Sequence, residues 1–197
     1  LVEEFGDRLG LVLARPQLQE KGNQGVLRYF TGPQRRRIPP LSPRETRALV
    51  RLSDLDGSLT WSPDALDRVV ALSGGHPYQV QLLCHRVWEE VRRRVPGDGV
   101  PRATVEAVET AVPETLVDAG DAFEATLDAL SPVCRVVAAA LARTDGPVAE
   151  DAVSDALHRF GITVVTRSLE EAPHDLRRLG LLLPDGPWQF RGELLPR

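Results

Sequence analysis

The sequence has 197 residues, 42% hydrophobic and 26% charged, an ordinary composition for a globular protein with room for one large domain or two small ones. Its net charge of −4 argues against non-specific attraction of the whole chain to nucleic acid. No apolar run approaches the length of a membrane span and no charged-then-apolar leader opens the sequence, so a cytoplasmic protein without membrane contacts is expected. Methionine is absent even at position 1, which suggests a segment of a longer polypeptide. Cys84 and Cys134 both fall in apolar helical patterns and predict small core residues in a reducing compartment.

In chain order, Leu9-Gly10-Leu11-Val12-Leu13-Ala14 is a continuous apolar run suited to a buried strand, and Arg37-Ile38 is placed to open another. Two short strands do not make a stable sheet. Residues 1–40 are therefore expected to be the last strands of a sheet whose remainder lies upstream. Ser42-Pro43-Arg44-Glu45 has the form of a capping box and predicts a helix from about Pro43 to Ser53. Ser62-Pro63 repeats the start signal for a helix ending near Ser73, at Gly74-Gly75. Val80, Leu83, Cys84, Val87 and Val91 form one stripe of a third helix, from Pro77 to about Arg94. Val105, Val108 and Val112 predict a short fourth helix. Pro113 is read as opening a longer connecting one with Leu116, Phe123, Leu127 and Leu130 along one side. The fold class is thus mainly α, with a four-helix bundle over 41–125.

Residues 126–197 have a different rhythm. Ser131-Pro132 starts a helix with Val133, Val136, Val137, Ala140 and Leu141 on one face; a second is expected over about Val148 to Arg159, and a third ends at Leu179-Gly180. Leu181-Leu182-Leu183, a turn at Pro184-Asp185-Gly186-Pro187, and Trp188-Gln189-Phe190 read as strand, turn, strand. Three helices and a hairpin in this order predict a winged helix-turn-helix. Pro173 sits inside the third helix, where it either starts a short helix or imposes a kink.

Ser73-Gly74-Gly75-His76-Pro77-Tyr78 is the most distinctive stretch. Two glycines allow backbone to approach a flat ligand closely, and the proline presents a rigid apolar ring at the start of a helix. A terminal strand, Ile38-Pro39-Pro40-Leu41-Ser42, a helical bundle carrying this turn and Leu82-Leu83-Cys84, and a winged helix follow one another. This order resembles the C-terminal half of the signal-transducing NTPases of the AAA+/STAND class, over nearly the whole chain. The resemblance implies that Gly75-His76-Pro77 corresponds to the Gly-x-Pro lid motif, whose proline packs on adenine. It also implies that Arg15, after the apolar strand, occupies the sensor-1 position that reads the terminal phosphate. ATP or ADP is the implied ligand, with magnesium held through an upstream part, and the implied partner is that upstream nucleotide-binding domain, with a protein partner or homo-oligomer on activation.

The sequence departs from the family in one respect that limits its chemistry. No Gly-x-x-x-x-Gly-Lys-Ser/Thr loop occurs, so these residues alone are not expected to hydrolyse ATP. Val2-Glu3-Glu4-Phe5 lies too close to the sensor strand to be a Walker B strand, and Glu3 and Glu4 read as helix-surface charges. Arg92-Arg93-Arg94 complements a helix C-terminus, whereas Arg35-Arg36-Arg37 precedes a predicted strand and is placed to face a phosphate or nucleic acid.

The four histidines lack metal-ligand spacing. A winged helix raises the alternative of a DNA-binding transcriptional regulator, with Arg167, Arg177, Arg178 and Arg191 as candidate contacts to nucleic acid or a partner. From residue 126 onward, however, eight arginines face ten carboxylates, a poor balance for phosphate neutralisation. The expected function is the lid and winged-helix portion of an ATP-dependent switch, in which nucleotide state moves the lid and, through the helix after Pro113, the winged helix. A pure protein-binding adaptor is the remaining reading, with no specific motif behind it.

Overall fold

A computed structural model describes residues 38–94, 99–144, 146–163 and 165–195. Within them the protein is mainly helical, with one two-stranded parallel pair. The apolar run at 9–14, Arg15 and Arg35-Arg36-Arg37 lie outside the described residues. Ile38-Pro39-Pro40 is irregular, so the strand expected at Ile38 does not form there. Two consecutive prolines remove the N–H groups a ladder needs.

Helix α1 (Pro43–Val50) begins at the expected capping box: the Glu45 backbone N–H donates to Ser42 Oγ at 3.3 Å, and Ser42 N–H donates to the Glu45 carboxylate at 2.8 Å. The Ser42 hydroxyl also donates to this carboxylate, at 2.7 Å, and with the Ser42 N–H it holds the Glu45 carboxyl below its ordinary value. The helix expected to reach Ser53 stops early and restarts as α2 (Leu52–Asp56). Ser53 Oγ donates to Val50 O at 3.0 Å, a side-chain bond that competes with the helical ladder at the break.

Strand β1 (Thr60–Trp61) leads into α3 (Pro63–Ser73), capped by Ser62, and α4 (Pro77–Arg94) follows the glycine turn. Strand β2 (Arg102–Ala103) runs parallel to β1, a pairing too short to show as a period in the sequence. Leu66, Val69 and Leu72 of α3, Val80, Leu83 and Val87 of α4, and Val108 and Val112 beyond β2 share one buried core. Arg47 clamps α1 to α3 by pairing with Asp67 at 2.7 Å.

The short helix and the connecting helix expected on either side of Pro113 are one element, α5 (Val105–Ala129), with Pro113 in its interior. Pro113 lies on the exposed side of the helix, so its ring costs no core packing. Helix α5 also runs through position 125, where the helical bundle was expected to end.

Ser131 caps α6 (Pro132–Ala142), accepting from the Cys134 N–H at 3.2 Å. The next helix is shorter than expected: a 3-10 turn at Glu150–Ala152 precedes α7 (Val153–Arg159). Val148 is excluded because its N–H and C=O both bond to Trp188, at 3.0 and 2.7 Å, in an antiparallel bridge. Helix α8 (Arg167–Arg178) runs through Pro173, whose ring is buried beside Ala172 and Leu176. It ends in a Schellman turn: Leu181 N–H donates to Leu176 O and Gly180 N–H to Arg177 O, with Gly180 at φ 82. Leu182 and Phe190 then bridge antiparallel, so the expected hairpin is present as a single isolated bridge and not as two full strands.

Candidate functional site

The glycine turn is a structural junction before it is anything else. Gly74 and Gly75 both take left-handed backbone, φ 56 and 79, to stop α3 and redirect the chain into α4. Ser73 is buried; its hydroxyl donates to Val69 O at 2.8 Å and accepts from Gly75 N–H at 3.3 Å. Leu41 N–H donates to Gly75 O at 2.8 Å, and a Cβ on Gly75 would lie 2.0 Å from Leu41 O. The close backbone approach that glycine permits is thus made by the protein's own chain.

What the junction presents outward is the continuation of the turn. His76, Pro77 and Tyr78 are exposed at the N-terminus of α4, Tyr78 by 44%. The Leu41 bond to Gly75 anchors Ile38-Pro39-Pro40 three residues away, with Ile38 84% exposed. Exposed apolar and ring-bearing residues therefore flank a backbone that is fixed from behind. Gly75, His76 and Pro77 follow one another through this turn, while Arg15 lies outside the described residues.

His76 is exposed, yet the protein on its inner side desolvates the imidazole and pushes its pKa below the ordinary 6.5. It is a neutral hydrogen-bonding ring at pH 7. The unfolded chain takes up this proton first, so the contribution of neutral His76 to stability is full above pH 6.5 and falls as pH drops toward the lowered folded value. An NMR titration of the His76 ring protons is expected to give a midpoint below 6.5; a midpoint at or above it contradicts this placement.

The candidate arginines are differently disposed. Arg177 is only 17% exposed and packs over the Trp188 ring at 4.0 Å, while its guanidinium donates to Gly186 O at 2.5 Å and pairs with Glu150 at 3.1 Å. It locks the hairpin to α8 and the turn before α7. Arg167 pairs with Glu171 and Arg178 with Asp175, both on α8. Arg191 lies past the hairpin, its N–H donating to Leu181 O at 2.9 Å and its Nε buried with no hydrogen-bond partner among the described residues.

An apolar recess of about 270 Å³ opens elsewhere, lined by Leu49 of α1, Trp61 and, on α4, Val80, Cys84 and Trp88. It shares no residue with the His76-Pro77 edge. Burial pushes the Cys84 thiol up to about 12, so it is a core residue and not a nucleophile. Among the described residues no group of three or more His, Cys, Asp and Glu is placed to hold a metal, and no helix is long and apolar enough to cross a membrane.

Sequence reasoning missed two contributors to the junction. In the sequence Leu41 stands only as part of Ile38-Pro39-Pro40-Leu41-Ser42, and Gly192–Leu194 carries no motif. Yet Gly192 lies against Gly74, and Leu194 joins the core of α3 and α4. The only signal was a glycine followed within two positions by a leucine pair, too short for any periodicity. No protein-family model, curated protein or solved structure matches the sequence.

Proposed function

We propose that these residues are the helical lid and winged-helix portion of a cytoplasmic, ATP-dependent switch of the AAA+/STAND class, and that the His76-Pro77 edge contacts adenine. The observation that carries this reading is the contrast within one turn. Gly74 and Gly75 are packed against backbone of the protein itself, while His76, Pro77 and Tyr78 are exposed. A flat, weakly polar base fits such an edge, with neutral His76 adding a hydrogen-bonding group without charge. The phosphates and magnesium are assigned to the parent protein's upstream domain, since no phosphate-binding loop occurs in these residues.

The order of α6, α7 and α8 with the Val148–Trp188 and Leu182–Phe190 bridges supports a winged helix. DNA binding has less behind it. Arg177 is committed to Trp188, Glu150 and Gly186, and Arg167 and Arg178 already carry carboxylate partners. The role assigned to this half is contact with the nucleotide-binding domain or a protein partner.

The reading is tested by equilibrium ATP and ADP binding to the parent protein, comparing wild type with Pro77→Glu. Weakened binding supports the adenine contact and unchanged binding removes it. A salt-sensitive mobility shift of duplex DNA by the 197-residue chain would favour the transcriptional regulator instead.

A further inference from the structure

The segment that follows the hairpin returns to the glycine turn and docks on it by backbone. Glu193 N–H donates to Ala71 O at 3.2 Å and Leu194 N–H to Leu72 O at 3.1 Å, the last turn of α3. Leu194 is 1% exposed within the core of α3 and α4. Arg68 of α3 bonds Glu193 at 2.8 Å and also bonds Glu109 of α5.

The fit leaves no slack between two glycines. A Cβ on Gly74 would lie 2.5 Å from the Arg191 carbonyl carbon, and one on Gly192 would lie 2.7 Å from both Gly74 N and Leu72 O. Arg191 is in turn fastened to the hairpin through Leu181 O. The turn is thus a three-way junction: Leu41 on one side, the C-terminal segment on the other, and His76-Pro77 facing outward.

We propose that Arg191–Leu195 is a strap that reports the state of the Gly74–Pro77 turn to the C-terminal half, staying docked while the turn keeps this shape and releasing when the turn shifts. Backbone packed on backbone cannot absorb a displacement by rotating a side chain, so a shift at Gly74 is passed to Gly192 or breaks the contact. This connection is separate from α5, the covalent route between the halves. Only its trigger, an occupant on the His76-Pro77 edge, rests on the nucleotide reading; the coupling of turn to strap does not.

Amide hydrogen exchange on the full chain tests it. In wild type the Glu193 and Leu194 amides are expected to be protected by their bonds to Ala71 and Leu72. Gly192 is not in left-handed backbone, so Gly192→Ala acts through steric contact alone; it is expected to speed exchange at both amides about tenfold or more while α6 and α8 keep their protection. Gly75→Ala strains a left-handed position and sets its Cβ nearest to Leu41 backbone, and it is expected to speed the same two amides about tenfold. Ser73→Ala, which removes the hydroxyl bonded to Gly75 N–H, replaces it if that variant does not fold, with an effect in the same direction.

If the turn variants leave both amides within about twofold of wild type while Gly192→Ala releases them, the strap is a fixed clasp and the proposal is overturned. Unprotected amides in wild type overturn it as well. In the parent protein, binding of ATP or ADP with magnesium that leaves strap exchange unchanged overturns the strap's trigger but spares the adenine contact. Absence of nucleotide binding defeats the adenine contact, and the turn variants alone then decide the coupling.

Discussion

Leu194→Ala is expected to destabilise the protein by about 2–3 kcal/mol, although it lies close to the end of the sequence. Its side chain is almost fully buried and belongs to the core shared with α3 and α4, so truncation removes transfer free energy and leaves a void. A terminal segment relaxes more easily than a helix interior, which places the effect at the lower end of the range for buried leucines. Urea denaturation measures it directly, with Leu195→Ala, a partly exposed neighbour, as the milder control. A change below about 0.5 kcal/mol would show that the strap is not part of the cooperative fold.

Pro77→Glu is expected to weaken nucleotide binding by the parent protein about tenfold to hundredfold, or about 1.4–2.7 kcal/mol. On the proposed adenine contact, the substitution removes an apolar ring from the edge and puts a carboxylate where an anionic ligand would approach. Its value as a probe comes from its position. Pro77 is the first residue of α4 and is exposed, and a negative side chain at a helix N-terminus is favourable, so the helix itself is expected to remain intact. Pro77→Ala, which deletes the ring without adding charge, is expected to weaken binding by less. Equal loss in the two variants would indicate that charge plays no part, and no loss in either would remove Pro77 from the site.

Much of the helical architecture was legible because local chemistry and burial agree there. Ser42, Ser62 and Ser131 each cap a helix opened by proline, and Val80, Leu83, Val87 and Val91 are buried along the predicted stripe of α4. Two of the misreadings share a cause: a local signal overruled by more distant contacts. Pro113 is a helix breaker by propensity, yet burial of Val108, Val112, Thr115 and Ala119 holds α5 continuous around it. Val148 looked helical but is claimed by the bridge to Trp188, forty residues away in sequence.

The candidate site divides in the same way. Gly-Gly-His-Pro was visible as a turn before a helix, but which side of it faces the protein was not. That depended on Leu41 and Gly192, whose partners are remote and whose contacts are backbone to backbone, leaving no residue-type preference beyond glycine itself. Likewise Arg177 reads in the sequence as one of several basic residues on a helix, and only the fold sets it on Trp188.

The most direct measurement is photolabelling of the parent protein with an ATP analogue carrying an azide on the adenine ring, followed by mapping of the labelled peptide. Tryptic cleavage after Arg68 and Arg86 isolates His76, Pro77 and Tyr78 in one peptide, Val69–Arg86. The adenine contact predicts label on that peptide, at His76–Tyr78, competed away by unlabelled ATP. Competable label confined to other peptides, with none on Val69–Arg86, would contradict it.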